Sequence, residues 1–178
     1  ITPSISNWFD MRLFLENKSG NIIDRVLFPS DLMFFQSDIQ EGLVPTMPGI
    51  ILKSEFFTTF LPTKNDHEYT VSYPSWPGIF ADYLAIKSAR GAMAMYSLYK
   101  EDEVVSTRLG FVHDTVHENR VFTYHTFNPA IENNITWDSP MVRIHIGQDY
   151  PETLTAYRQN NHIDGFPSLQ EKLGAIYT

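Results

Sequence analysis

Apolar and polar residues alternate along much of the chain with the period of two that is typical of β-strands. The clearest example is the run MVRIHI, in which Val142, Ile144 and Ile146 fall on one face. Arg143 and His145 fall on the opposite face of the same run. This pattern predicts a strand that turns one face toward a hydrophobic core.

Turn-forming residues separate many further segments with strand-like composition. The sequence predicts strands over residues 8–16, 22–28, 32–35, 50–52, 56–61, 79–86, 92–99, 104–113, 120–127 and 140–147, and residues 135–137 are expected to touch the sheet. Residues 8–16 and 22–28 flank an Asn-Lys-Ser-Gly-Asn turn and are predicted to pair as a hairpin. A second hairpin is predicted across the turn Ser-Ala-Arg-Gly that follows residue 87. Residues 36–49 contain glycines and prolines and are predicted to form an irregular loop.

Helical signals replace the alternation near the C-terminal end. Asp149 is a capping residue and Glu152 follows it by three positions, which predicts a helix that continues to about Asn160. Ser168 and Glu171 repeat the same capping pattern and predict a second short helix. The sequence therefore changes from strands to helices at about residue 149.

Many short strands followed by short helices are typical of a β-sandwich with a helical exit. We predict an all-β fold, an antiparallel, supersandwich-like β-sandwich with short C-terminal helices. The β-sandwich domain is assigned to residues 1–148, and residues 149–178 are expected to form a helical linker toward a further domain. A chain of 178 residues is long enough to bury one sizeable core.

Composition narrows the classes of partner. The net charge of −8 argues against nucleic acid and against an anionic membrane as partners. No apolar run approaches the roughly 20 residues that a membrane-spanning helix needs. Cysteine is absent, which excludes disulfides and thiolate metal sites, and no phosphate-binding or dinucleotide-binding motif is present. We therefore predict no cofactor.

The most specific candidate site is an aromatic corner before the second predicted hairpin. Tyr73 precedes one proline and Trp76 precedes another, so both aromatic residues are expected on a rigid extended turn. Exposed rings hold sugars by stacking, and polar side chains bind their hydroxyls. We predict carbohydrate binding by Tyr73, Trp76, Asp82 and Tyr83. Trp8 and Trp137 are further aromatic candidates.

Two of these residues have a second interpretation. A tryptophan at this position is either a sugar platform or a core residue that closes the end of the sandwich. Asp82 interrupts an apolar strand, and a buried carboxylate needs hydrogen-bond partners. Asp82 therefore either contacts a ligand or pairs inside the protein, with Arg90, Arg143 or backbone amides as partners.

Histidines offer a different class of function. His113 and His117 lie four residues apart, but the segment is predicted as strand and turn, where this spacing does not gather metal ligands. We predict no metal site. An enzyme of the mutarotase or lyase kind remains an alternative, with His113, His125 or His145 as base and Arg143 as charge stabiliser.

Three pieces of sequence follow one another in a distinctive order. The first is a hairpin-like stretch from Trp8 to Phe28 with Pro29, and the second runs from Tyr73-Pro74 through Trp76 to Tyr99. The third runs from Ser139-Pro140 through Gly147 and continues into a helix that contains Ala156-Tyr157-Arg158. Together they resemble the N-terminal domain of large carbohydrate-active enzymes, in which a galactose-mutarotase-like supersandwich precedes a catalytic (β/α)8 barrel. A complete supersandwich is longer, so the chain corresponds to its second half or to a trimmed form.

The resemblance implies a non-catalytic domain of a glycoside-hydrolase-like protein that is secreted or extracytoplasmic. Its role would be structural support, glycan binding or both, and its partner would be a catalytic barrel, in the same protein or in another chain. The acid and nucleophile carboxylates of glycoside hydrolysis would lie on that barrel, so no catalytic residue is carried over. A stand-alone lectin-like binder is the alternative from the class of binding proteins.

Overall fold

The computed structural model describes residues 7–30, 32–46, 50–74, 81–99, 105–117 and 119–162. Its strands are β1 (Trp8–Met11), β2 (Phe14–Glu16), β3 (Val26–Leu27), β4 (Met33–Phe35), β5 (Glu41–Val44), β6 (Ile50–Lys53), β7 (Glu68–Tyr73), β8 (Tyr83–Ser88), β9 (Gly91–Leu98), β10 (Thr107–His113), β11 (Arg120–Phe127), β12 (Thr136–Asp138) and β13 (Met141–Gly147). The helices are α1 (Leu61–Thr63), directly after a π-helical turn (Phe56–Phe60), and α2 (Tyr150–Asn160). A 3-10 turn covers Gln36–Asp38.

The strands form an antiparallel β-sandwich, which confirms the predicted all-β fold. The first sheet has the order β1-β13-β9-β8-β5-β6, and the second has the order β3-β11-β10-β7 with β4 also paired to β11. Strands β2 and β12 pair separately. None of the helices in the described ranges has the length and apolarity that a membrane-spanning helix requires.

The main core lies between the two sheets, because each strand turns alternate residues inward. The first sheet contributes Leu84, Ile86, Met95, Val142 and Ile144, and the second contributes Leu109, Phe111, Val121 and Phe127. In β13 the predicted alternation is confirmed for Val142 and Ile144, which are buried, whereas Ile146 is half exposed at the strand end.

Helix α2 covers the outer face of the first sheet and forms a second, smaller core. Tyr157 of the helix contacts the rings of Tyr83 and Tyr96, at centroid distances of 5.4 and 5.3 Å. The hydroxyl oxygen of Tyr83 lies 2.8 Å from Oγ1 of Thr153. Asp149 caps the helix and accepts a hydrogen bond from the backbone N–H of Glu152, as predicted.

Asn17 anchors the segment that follows β2. The residue is fully buried. Its Nδ2 donates to the carbonyl oxygens of Asn21 and Ile131, at 2.7 and 2.9 Å. Its Oδ1 accepts from the backbone N–H and the hydroxyl of Ser19, at 3.0 and 2.8 Å. Every polar atom of this side chain is thus paired within the protein.

The predicted hairpin between residues 8–16 and 22–28 is wrong. Strand β1 pairs with β13, β2 pairs with β12, and β3 pairs with β11. The turn residues are present, but each flanking segment finds its partner far away in sequence. A turn signal between two apolar segments therefore does not decide which strand each segment joins.

Two further element predictions are wrong. Residues 56–61 form helical turns, because Phe56 stacks on Phe60 at 5.3 Å and Phe57 reaches Phe111 at 5.1 Å. The predicted loop 36–49 contains β5, in which Gly42 permits a close approach: a Cβ there would lie 2.6 Å from Cζ of Phe57. The second predicted C-terminal helix lies outside the described residues.

Candidate functional site

The residues predicted to bind carbohydrate lie in different environments. Tyr73, at the end of β7, is half buried and its ring lies 6.4 Å from that of Tyr99. Trp76 lies outside the described residues. Asp82 and Tyr83 are buried, so they face the two cores rather than an open surface. Carbohydrate binding by these four residues stays a prediction.

Asp82 joins the two sheets at one end of the sandwich. It precedes β8 in the first sheet, and His125 belongs to β11 in the second. Its Oδ1 lies 3.2 Å from Nε2 of His125, and its Oδ2 accepts a hydrogen bond of 2.6 Å from the hydroxyl of Tyr99. The other ring nitrogen of His125 lies 2.7 Å from the carbonyl oxygen of Phe28. Both nitrogens of His125 are therefore engaged.

Asp82, His125 and Tyr99 form what we call the Asp82 cluster. Within it, electrostatic interactions favour the charged forms of Asp82 and His125. Burial alone would raise the pKa of Asp82, but the charge and hydrogen bond of His125 and the hydrogen bond from Tyr99 lower it. Burial alone would lower the pKa of His125, but the charge and hydrogen bond of Asp82 raise it. Burial and the Asp82 charge raise the pKa of Tyr99. The Tyr99 phenol therefore remains a hydrogen-bond donor.

The Asp82 cluster is suited to holding the sheets together. The side chains of Asp82 and His125 are each only 1% exposed, and their contact connects the first sheet to the second. The predicted partners Arg90 and Arg143 are wrong, because the partners of the carboxylate are a histidine and a tyrosine. Ser97 is also buried next to this carboxylate, although its hydroxyl has no hydrogen bond of normal geometry to a described residue.

A more accessible site lies on the outer face of the first sheet, between the edge strand β1 and helix α2. We call it the Trp8 groove, and its volume is about 480 Å³. It is lined by Asn7, Trp8, His145, Pro151, Glu152, Thr155, Ala156 and Gln159. The strand side supplies an aromatic ring and an imidazole, and the helix side supplies polar and small residues.

The ring of Trp8 is held in place from two sides. The guanidinium carbon of Arg143 lies 4.9 Å from the centroid of the Trp8 ring. Arg143 is fixed in turn by two hydrogen bonds of 2.7 Å to the carboxylate of Asp10. The ring of His145 meets Trp8 edge-on at 6.0 Å. Trp8 nevertheless remains 44% exposed, so an oriented aromatic surface is open to solvent.

His145 forms the floor of the Trp8 groove. Its register opposite Trp8 in β1 and Ala94 in β9 places it on the outer face of the sheet. Burial lowers the pKa of His145, and Arg143 lowers it further, against the opposing effect of Glu152. Its Nδ1 is buried and has no hydrogen-bond partner among the described residues. The imidazole is therefore predominantly neutral at pH 7.

Helix α2 forms the other wall, and one glycine allows it to lie close to the sheet. A Cβ at Gly147 would lie 2.9 Å from Cγ2 of Thr153 and 3.2 Å from Oε2 of Glu152. That Oε2 accepts a hydrogen bond of 2.7 Å from the backbone N–H of Gln148, which fixes the carboxylate at the helix start. The four-residue spacing of Thr155 and Gln159 places both on the groove side of the helix.

Among the remaining histidines, His67 and His113 lie side by side. His113 Nδ1 lies 3.0 Å from Nε2 of Gln36, and its ring lies 5.9 Å from that of His67. His117 pairs with Asp114 on the surface. Within the described ranges, no group of three or more histidine, aspartate or glutamate side chains could hold a metal ion.

A second cavity, of about 370 Å³, lies beside the turn between β8 and β9. Ile39, Ile86 and Met93 contribute an apolar floor, whereas Asp38 and Arg90 contribute opposite charges to its lining. Ser37, Gln40 and Ser88 add hydrogen-bonding groups, so the lining is partly apolar and partly polar.

Sequence reasoning found part of the Trp8 groove. Trp8 was an aromatic candidate, and the shared face of Arg143 and His145 was predicted from the alternation. The contribution of α2 was missed, because helical spacing identifies a face of the helix but not the strand that it packs beside. No signal in the sequence indicates that Glu152 lies near Trp8.

Comparisons with known proteins do not assign the chain to a family. A scan against protein-family models finds no match, and a search of curated proteins finds no significantly similar sequence. The resemblance to a galactose-mutarotase-like supersandwich therefore stays a prediction, as do its implications for function and location.

Proposed function

We propose that this chain is a non-catalytic, carbohydrate-binding β-sandwich domain of a carbohydrate-active protein, and that the Trp8 groove contacts the glycan. The observation that carries the proposal is the exposed ring of Trp8, oriented by Arg143 beside a groove that contains polar side chains. An oriented ring needs no ordering when a sugar binds, so less of the interaction energy is lost.

The chemistry of the groove suits a sugar. The C–H face of a pyranose packs on an aromatic ring, and its hydroxyls both donate and accept hydrogen bonds. Asn7 and Gln159 offer donors and acceptors, and Glu152 offers acceptors. A groove of about 480 Å³ has the size of a typical small-ligand site.

A binding role has better support than catalysis by histidine. His125 is 1% exposed and both its ring nitrogens are engaged. Arg143, the candidate charge stabiliser, is already paired with Asp10. His145 lines the groove, but its Nδ1 has no hydrogen-bonded partner in the described part of the chain that would orient the ring as a base.

Calorimetric titration of the whole chain with neutral oligosaccharides, chosen from a glycan array, tests the proposal. We expect Trp8→Ala to weaken binding by about tenfold or more, which corresponds to about 1.4 kcal/mol. Phe14→Ala is the matched control, because Phe14 is 67% exposed and lies on β2, outside the groove. Unchanged affinity of a folded Trp8→Ala variant, or a lack of binding to any glycan on the array, contradicts the proposal.

A further inference from the structure

We infer that the Trp8 groove selects neutral sugars over sugars that carry a carboxylate, and that Glu152 is the residue that excludes the acidic ones. This inference rests on the proposed function, and it adds the class of glycan. It depends on the charges along the groove, on the protonation of its floor and on the hydrogen bonds that remain available there.

The charged groups at the groove favour a neutral ligand. Glu152 is the one carboxylate that lines it, and no lysine or arginine is among its described lining residues. Arg143, whose guanidinium lies against the Trp8 ring, is not part of this lining. Two of its hydrogen bonds go to the carboxylate of Asp10, which offsets its charge, and Tyr96 is a further partner. A ligand carboxylate would therefore meet the carboxylate of Glu152, and no lysine or arginine of the described lining would offset the repulsion.

The floor of the groove does not supply the missing cation. His145 is predominantly neutral at pH 7, because burial lowers its pKa. Its Nδ1 is buried, which leaves Nε2 for a ligand, and a neutral imidazole offers no positive charge to a carboxylate. The whole chain also carries a net charge of −8, which repels acidic glycans before they reach the site.

The wall of the groove has hydrogen-bonding capacity left for hydroxyls. Glu152 Oε2 accepts one hydrogen bond, from Gln148, and an ionised carboxylate has about four acceptor positions. A sugar hydroxyl can donate to the remaining positions, whereas a ligand carboxylate has no proton to donate. Glu152 therefore attracts the neutral ligand and repels the acidic one at the same place.

Matched glycans provide the test. Glucose, galactose and mannose oligosaccharides are compared with the same oligosaccharides after oxidation of C6 to the uronate, with the full chain at low ionic strength. We expect the neutral member to bind about tenfold or more tightly than its uronate. Glu152→Gln should reduce this ratio to about threefold or less, because the amide keeps the acceptor for Gln148 but removes the charge. Added salt should also reduce it in the wild type, because mobile ions screen the repulsion.

Glu132→Gln is the control for the change in net charge, because Glu132 is exposed and lies outside the groove. Melting temperatures establish that both variants are folded. Equal or tighter binding of the uronates by the wild type, or an unchanged ratio in Glu152→Gln, overturns the inference. If Trp8→Ala still weakens binding as expected in that case, the proposed function stands. If neither member of any pair binds, both proposals fall.

Discussion

Asp82 Oδ1 lies 3.2 Å from Nε2 of His125, and this contact crosses the core from the first sheet to the second. Both side chains are buried among apolar residues, where an unpaired charge is strongly unfavourable. The hydroxyl of Tyr99 satisfies the second oxygen of the same carboxylate. A buried polar cluster with its members paired helps to specify how two apolar sheets pack against each other.

We predict that His125→Leu lowers the free energy of unfolding by about 3–5 kcal/mol, because it leaves the Asp82 carboxylate buried without its partner. The double variant Asp82→Leu with His125→Leu should lose less stability than either single variant, since no buried charge remains. Urea unfolding of the four proteins measures both effects. Losses that simply add would show that the two side chains do not interact.

The stability of the protein should depend on pH through the same pair. The pKa of His125 is raised in the folded state, so its contribution is full below about pH 6.5 and is lost as the pH rises through the folded-state pKa. The pKa of Asp82 is lowered, so its contribution is full above about pH 4 and is lost as the pH falls through the folded-state pKa. The pair should stabilise the protein most between these limits.

The difference in unfolding free energy between the wild type and His125→Gln, followed from pH 3 to pH 9, isolates this effect. Subtracting the unfolding free energy of the variant from that of the wild type removes the contribution of His145. The pKa of His145 is lowered in the folded state, so its titration changes stability with pH in the direction opposite to that of His125. A difference that stays constant across the range would exclude the charged pair.

We predict that Gly147→Ala destabilises the protein by about 1–3 kcal/mol and weakens glycan binding, because the new methyl group pushes α2 away from the sheet. Thr153→Ser removes the nearest atom, Cγ2, and keeps the hydroxyl that contacts Tyr83. Adding Thr153→Ser to Gly147→Ala should therefore restore part of both properties. Thermal melting and calorimetric titration measure them, and a double variant no better than the single one would argue against crowding at this contact.

Asp10→Asn should change the groove without touching its lining. The substitution removes the charge that neutralises Arg143 and loosens the contact between Arg143 and the Trp8 ring. We expect weaker binding of neutral glycans and relatively stronger binding of uronates, by a few-fold each. Asp138→Asn is the control, because Asp138 lies on β12 in the separate two-stranded sheet. If the ratio of neutral-glycan affinity to uronate affinity does not fall in Asp10→Asn, Arg143 does not contribute to the selectivity of the groove.

The sequence was a good guide to the elements whose faces differ in polarity. The alternation around Ile144 and the capping pair of Asp149 and Glu152 correspond to β13 and α2 as they occur in the structure. It was a poor guide to strand partners, because alternation determines which residues face the core and not which strand lies alongside. The aromatic residues near Phe57 illustrate a second limit, since a short apolar run fits a strand and a helix equally well.

The candidate site was harder to predict for the same reason. Trp8 and His145 are far apart in sequence and meet through the pairing of β1 with β13, which replaced the expected hairpin. Asp82 was recognised as unusual because it interrupts an apolar run, but its partner His125 lies on the other sheet. Contacts between sheets depend on packing geometry, and no local pattern in the chain encodes them.

The buried position of Asn17 has a consequence for modification. Asn17-Lys18-Ser19 matches the triplet at which N-linked oligosaccharides are attached in secretory cells. Attachment replaces a hydrogen on Nδ2, the atom that donates to Asn21 and Ile131, and the buried site has no space for a sugar chain. The folded protein cannot carry an oligosaccharide there, whereas Asn134, in the exposed triplet Asn134-Ile135-Thr136, can be modified without unfolding.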